Sequence, residues 1–159
     1  LNFKIVELLK KNNMKLIVLK GEPDAGKTVT INYVYNKLRG EGYIEPSRDV
    51  FKDLENGDFL TVLEKERIKL GIVSQGDYVR GDCSVKKHLE SLEKQSCSIV
   101  ICAQTIGENK EEIQKTIDKY SQKEIVTISK IQDYKKRAQE INDKVIEILK
   151  YLEEYLKTL

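Results

Sequence analysis

Hydrophobic residues along this chain follow two rhythms. Leu16-Ile17-Val18-Leu19 and Ser98-Ile99-Val100-Ile101-Cys102-Ala103 are short continuous apolar runs, the pattern of strands buried on both faces in a parallel sheet. Elsewhere apolar residues recur every three or four positions, as on one face of a helix. Val29, Tyr33, Val34 and Leu38 form one such set, and Val85, Leu89 and Leu92 a second. Ile113, Ile117 and Tyr120 form a third, and Ala138, Ile141, Val145, Ile148, Leu149 and Leu152 a fourth. The spacing predicts a strand over residues 15–20 and a helix over 28–38 stopped by Gly40 and Gly42. Ser84 is placed to cap a helix running to Gln95, and Asn109 to cap the one bearing Tyr120. A last strand is expected over 125–128. A long amphipathic helix from Tyr134 should dock on the sheet, because the other helices leave one face short of cover; a coiled coil is the competing reading. At the start, Ile5, Leu8 and Leu9 share one face of a helix over residues 1–11, with Asn12-Asn13 as its stop.

Two further runs, Phe59-Leu60-Thr61-Val62-Leu63 and Ile68-Lys69-Leu70-Gly71-Ile72-Val73, are separated only by Glu64-Lys65-Glu66-Arg67. So short a link suits an antiparallel hairpin and cannot hold a crossover helix. The expected fold is therefore three-layer α/β in a single domain over residues 1–159. Its sheet should be mostly parallel and five-stranded, with one antiparallel edge strand. Right-handed crossovers would place the first strand centrally and the hairpin's first strand at an edge.

Charge narrows the partners. Lys and Arg number 28 against 26 Asp and Glu, a formal +2, so neither nucleic acid nor a membrane is a default partner. No apolar run approaches the roughly 20 residues of a membrane span, and the start mixes charges into a helical pattern, unlike a signal peptide. Cys83, Cys97 and Cys102 are three in number without C-x-x-C spacing, and His88 is the only histidine. A disulfide framework or zinc site is not indicated, and the expected location is the cytoplasm.

Chemistry concentrates in Gly21-Glu22-Pro23-Asp24-Ala25-Gly26-Lys27-Thr28, which spells G-x-x-x-x-G-K-T between the first strand and the first long helix. By composition alone such a match arises in on the order of one per cent of chains this long, and the strand before and helix after lower that further. Backbone N–H groups of such a loop wrap phosphate oxygens at a helix N-terminus. On Gly21, Gly26, Lys27 and Thr28 the chain resembles a P-loop NTPase. The resemblance implies that Gly21 to Val29 bind a nucleoside triphosphate, with Lys27 reaching the β- and γ-phosphates and Thr28 completing a Mg²⁺ shell. Lys27 is expected to be exposed in the free loop, and Glu22 and Asp24 to point outward. Residues 41–57, with Pro46 in the middle, are either a mobile cover of the nucleotide or an ordinary connection.

A hairpin after the P-loop helix is also how Ras-like GTPases are built, and these carry D-x-x-G at the end of the following strand. Here Ser74-Gln75-Gly76-Asp77 occupies that place. Asp77 is the candidate for the Mg²⁺ or water contact, and Gln75 a weaker one for orienting a water; a polar turn is the bland alternative. A guanine pocket would need N-K-x-D where this chain reads Ser129-Lys130-Ile131-Gln132, with Asp133 one residue late. Arg80 could face the γ-phosphate and Arg48 could add a second cation. Gln104, Thr105 and Gly107 share that sheet edge, whereas His88 reads as a surface or partly packed residue. The sequence thus points to ATP bound with Mg²⁺ and hydrolysed slowly, with Lys27 and Asp77 as the catalytic pair. A small-molecule or nucleotide kinase and a degenerate GTP switch are the alternatives, and a protein partner is compatible with each.

Overall fold

The computed structural model describes residues 2–5 and 13–159. Residues 3–5 are helical, while the rest of the expected first helix, with Leu8, Leu9 and Asn12, lies outside the described residues. The chain then runs β1 (Lys15–Gly21), α1 (Lys27–Gly40), β2 (Lys52–Asp53), β3 (Phe59–Lys65), β4 (Ile68–Val73) and α2 (Val85–Lys94). It continues through β5 (Ile99–Thr105), α3 (Glu111–Asp118), β6 (Lys123–Thr127) and α4 (Tyr134–Leu156).

The strands form one mixed six-stranded sheet in the order β2-β3-β4-β5-β1-β6. β4, β5, β1 and β6 are mutually parallel, and β3 is antiparallel to both β2 and β4. Two expectations need correction. The sheet has a sixth strand, β2, so the antiparallel β3 is no longer the edge; a two-residue exposed strand carries no hydrophobic alternation to announce it. Also, β1 is not central. It lies between β5 and β6, and β5 separates it from the hairpin. β5, buried along its whole length, is one of the two central strands instead.

The hairpin itself forms as expected, pairing Leu60 with Val73 and Thr61 with Ile72. Its turn is tighter than the charged tetrapeptide suggested. Lys65 pairs with Ile68, and Glu66 and Arg67 both take positive φ (52° and 68°), the two-residue turn whose twist suits adjoining strands.

Helices cover both faces. On one, Ile31, Val34 and Leu38 of α1 and Ile141, Val145, Ile148 and Leu152 of α4 pack over Ile17, Leu19, Ile101 and Val126. α4 thus docks on the sheet. On the other, Leu89 and Leu92 of α2 and Ile113 and Ile117 of α3 pack over Leu16, Val18, Val100 and Cys102. Val29 and Tyr33, expected on the inner face of α1, are 46% and 57% exposed, and Thr30 and Ile31 are buried in their place. Burial follows the α4 contact, which rotates the inward stripe by one residue. Ala138 is exposed as well. Ser84 Oγ accepts from Lys87 N as expected of a cap. Asn109 does not cap; it has φ 62°, and α3 begins after Lys110 with no side-chain cap.

Candidate functional site

Every parallel strand ends at the same edge of the sheet, and so does the start of the antiparallel β3. A cleft of about 350 Å³ opens there. Its floor is the 21–28 loop. Asp24 (φ 61°) and Gly26 (φ 103°) both take left-handed conformations, and alternation of this kind turns successive N–H groups toward one point. Gly26 suits a φ that side chains resist. It also lets α4 close in, since a Cβ there would lie 3.1 Å from Ile141 Cδ1. α1 starts behind Gly26 with no side-chain cap and no acidic residue in its first turn. Its positive end therefore faces the cleft without an opposing charge of its own.

Lys27 is not exposed, contrary to expectation. It retains 8% of its surface, and its ammonium donates to the Gly21 carbonyl at 2.9 Å and the Glu22 carbonyl at 2.6 Å. Burial lowers its pKa, opposed by the nearby Asp77, Asp24, Asp58 and Glu22 carboxylates. Pro23, Asp24, Thr28 and Val29 line the cleft with it. Gly21 and Glu22 contribute carbonyls to the lysine, and Ala25 is buried in the core. Glu22 and Asp24 are exposed, as expected.

β4 is one strand removed from β1, yet Ser74, Gly76 and Asp77 reach the cleft. Gly76 makes this feasible. A Cβ at Gly76 would lie 2.2 Å from the Ala103 oxygen, and the Gly76 carbonyl accepts from Thr105 N at 2.9 Å. Only a residue without a side chain lets the two segments run this close. Asp77 is partly buried on the cleft wall, and its carbonyl accepts from the Lys110 ammonium.

Gln75 is not in the cleft. It is buried beneath, 2.7 Å from His88 Nε2 through its Oε1, so it cannot orient a water in the cleft. His88 is likewise buried and not a surface residue. Burial holds its pKa below 6.5, opposed by Asp58, Asp77 and a hydrogen bond to the Cys83 backbone. Gln104 is buried and donates to Gln114 Oε1 at 2.7 Å; Thr105 lines the cleft and Gly107 is exposed beyond it. Arg48 and Arg80 are exposed and line no part of the cleft. Lys130 and Gln132 are exposed and line no part of the cleft, and Asp133 caps α4 by accepting from Lys136 N at 2.9 Å. Cys97 and Cys102 are buried, which pushes both thiols up to about 12, and all three cysteines are free.

Three cleft residues escaped the sequence reading: Asp58, Lys110 and Arg137. Asp58 is the most engaged. A single 3-10 turn, Glu55–Gly57, sets it in place, with Leu54 N on its carbonyl at 2.8 Å. Its Oδ1 accepts from Thr28 Oγ1 at 2.8 Å and from Ser74 Oγ at 2.9 Å. A signal for it existed: the residue opening an antiparallel strand lies at the edge where its parallel neighbours end. Lys110 occupies the N-cap position of α3 and Arg137 lies in the first turn of α4, where polar residues are ordinary, and nothing marked them.

Residues 41–57 are fastened to α1 and to β3, and their last turn abuts the cleft residue Asp58. Ile44 bridges Glu64, Arg39 pairs with Glu45 at 2.8 Å, and Phe51 stacks on Phe59 at 5.6 Å between centroids. No group of three or more His, Cys, Asp or Glu among the described residues could hold a metal by itself. No helix among them is long and apolar enough to cross a membrane. Comparison with protein-family models, with curated proteins and with solved structures finds no match for this chain.

Proposed function

We propose that this chain is a small P-loop protein that binds a nucleoside triphosphate, with ATP as the nucleotide, and hydrolyses it slowly with Mg²⁺. One observation carries the reading. Lys27 is buried at the uncapped start of α1, in a loop whose left-handed Asp24 and Gly26 turn N–H groups to the same place. That combination offers donors and positive charge to an anion and has no use in packing a core. Lys27 would exchange its carbonyl partners for phosphate oxygens and stabilise charge on the γ-phosphoryl group. Asp77 would contact the attacking water. Thr28 fits a Mg²⁺ ligand, because its hydroxyl donates to Asp58 and keeps its lone pairs free. A hard cation that keeps its waters and takes phosphate oxygens needs no cage of protein carboxylates.

The base end favours ATP over GTP. Guanine recognition needs a carboxylate accepting two hydrogen bonds; Gln132 is neutral, and the Asp133 carboxylate caps α4. Lys110 and Arg137 add two cations along the cleft, which supports a phosphotransferase as the second reading. The test is titration of ATP, GTP, ADP and GDP with and without Mg²⁺, followed by assay of phosphate release. ATP should bind at least as well as GTP, with slow release to water. A strong GTP preference would promote the switch reading, and absence of any triphosphate binding would remove the proposal.

A further inference from the structure

Asp58 stands out because two hydroxyls converge on one of its oxygens. Thr28 Oγ1 and Ser74 Oγ both donate to Oδ1, at 2.8 and 2.9 Å. Ser74 Oγ in turn accepts from Phe59 N at 2.9 Å. Ser74 is 3% exposed, and these bonds occupy its hydroxyl. It therefore positions Asp58. The second oxygen, Oδ2, has no hydrogen-bond or ion-pair partner among the described residues, although Asp58 lines the cleft.

Thr28 is constrained in a complementary way. A hydroxyl that gives its proton to a carboxylate is a stronger donor of lone pairs to a cation, and its orientation is fixed. The end of β4 carries Ser74 and no acid at that position. The carboxylate arrives instead from the start of β3, the neighbouring strand, across the Ser74 bond.

We infer that Asp58 is the carboxylate that orients Thr28 toward a divalent cation and holds that cation's water shell through Oδ2, a role that Asp77 does not fill. The inference rests on the P-loop reading of the same cleft. Asp77 has no bond to Thr28, and its carbonyl, not its carboxylate, is what Lys110 holds.

Asp58→Asn is the informative variant, because the amide oxygen can still accept from Thr28 and Ser74 and preserve the local fold. The measurement is ADP and ATP affinity by calorimetry with and without Mg²⁺, together with Mn²⁺ binding to the nucleotide complex by electron paramagnetic resonance. Asp58→Asn should lower affinity for the metal in the complex by about 10–100-fold. Metal-free ADP affinity should stay within about twofold, well inside what loss of one outer-shell partner costs. Asp77→Asn in parallel should change the metal affinity less. Unchanged metal affinity in Asp58→Asn, or a larger loss in Asp77→Asn, overturns the inference while metal-free ADP binding by the parent keeps the P-loop reading. A parent chain that binds no nucleotide overturns both. Thermal unfolding of each variant checks that the fold is kept, and Asp58→Glu, which retains the charge, should recover part of the metal affinity if the carboxylate is the active feature.

Discussion

Replacing Lys27 with alanine tests the cleft and the loop at once, because Lys27 lines the one and its ammonium holds the other. In the free chain it holds the Gly21 and Glu22 carbonyls at 2.9 and 2.6 Å. Hydrogen bonds to a charged group contribute about 1.5–3 kcal/mol each. Two effects reduce that sum: the vacated carbonyls lie beside an open cleft and can take water, and the variant no longer desolvates an ammonium. A net loss of about 1–2 kcal/mol of stability remains, ordinary for a point substitution. Binding should fall further. A desolvated ion–phosphate contact is worth about 2–5 kcal/mol. Lys27 must first release its two carbonyls, so the lower half applies, about 2–3 kcal/mol or roughly 30–150-fold in Kd. Lys27→Met keeps the buried stem and should show the same loss of affinity with a smaller loss of stability. Calorimetric titration with ATP reads the first effect and urea denaturation the second. Equal ATP affinity in parent and Lys27→Ala would refute the reasoning, whatever happened to stability.

Two other substitutions probe the scaffold. Gly76→Ala drives a methyl into the Ala103 carbonyl, 2.2 Å from its oxygen. Neither strand end can yield cheaply, so urea denaturation should show a loss of at least about 3 kcal/mol, the upper range for overpacking; a loss under about 1 kcal/mol would mean the two segments part easily. His88 is buried neutral with a lowered pKa, so the folded state binds fewer protons than the unfolded one below pH 6.5. Its stability contribution is present above that pH and is lost as pH falls through the folded value. His88→Gln should flatten the stability profile between about pH 5 and 7, where histidine titrates; identical slopes in parent and variant would assign the titration elsewhere.

Much of the secondary structure was legible because it depends on local pattern. The continuous apolar run of β1 required burial on both faces, and Leu16 to Leu19 are all fully buried. Ser84 capped the helix it preceded, since a cap bonds within its own turn. The glycine-rich loop fell between a strand and a helix, where its spacing placed it. Asn109 failed as a cap because Asn also tolerates the left-handed backbone it adopts here.

Tertiary contact decided the rest. Periodicity says that a strand is buried but not beside which neighbour, so it could not put β5 between β1 and β4. It also could not rotate α1 to expose Val29 and Tyr33, because that angle is set by α4, more than 100 residues later. The burial of Lys27 needed the loop closed around it. Asp58 lies 30 residues from Thr28 in the chain, and only the placing of the start of β3 at the sheet edge brings its carboxylate to that hydroxyl. Local sequence determines the loop and the lysine it carries. The pairing of strands determines which acid and which cations meet there, because that depends on sheet order, and sheet order is a choice among packings that a single segment does not record.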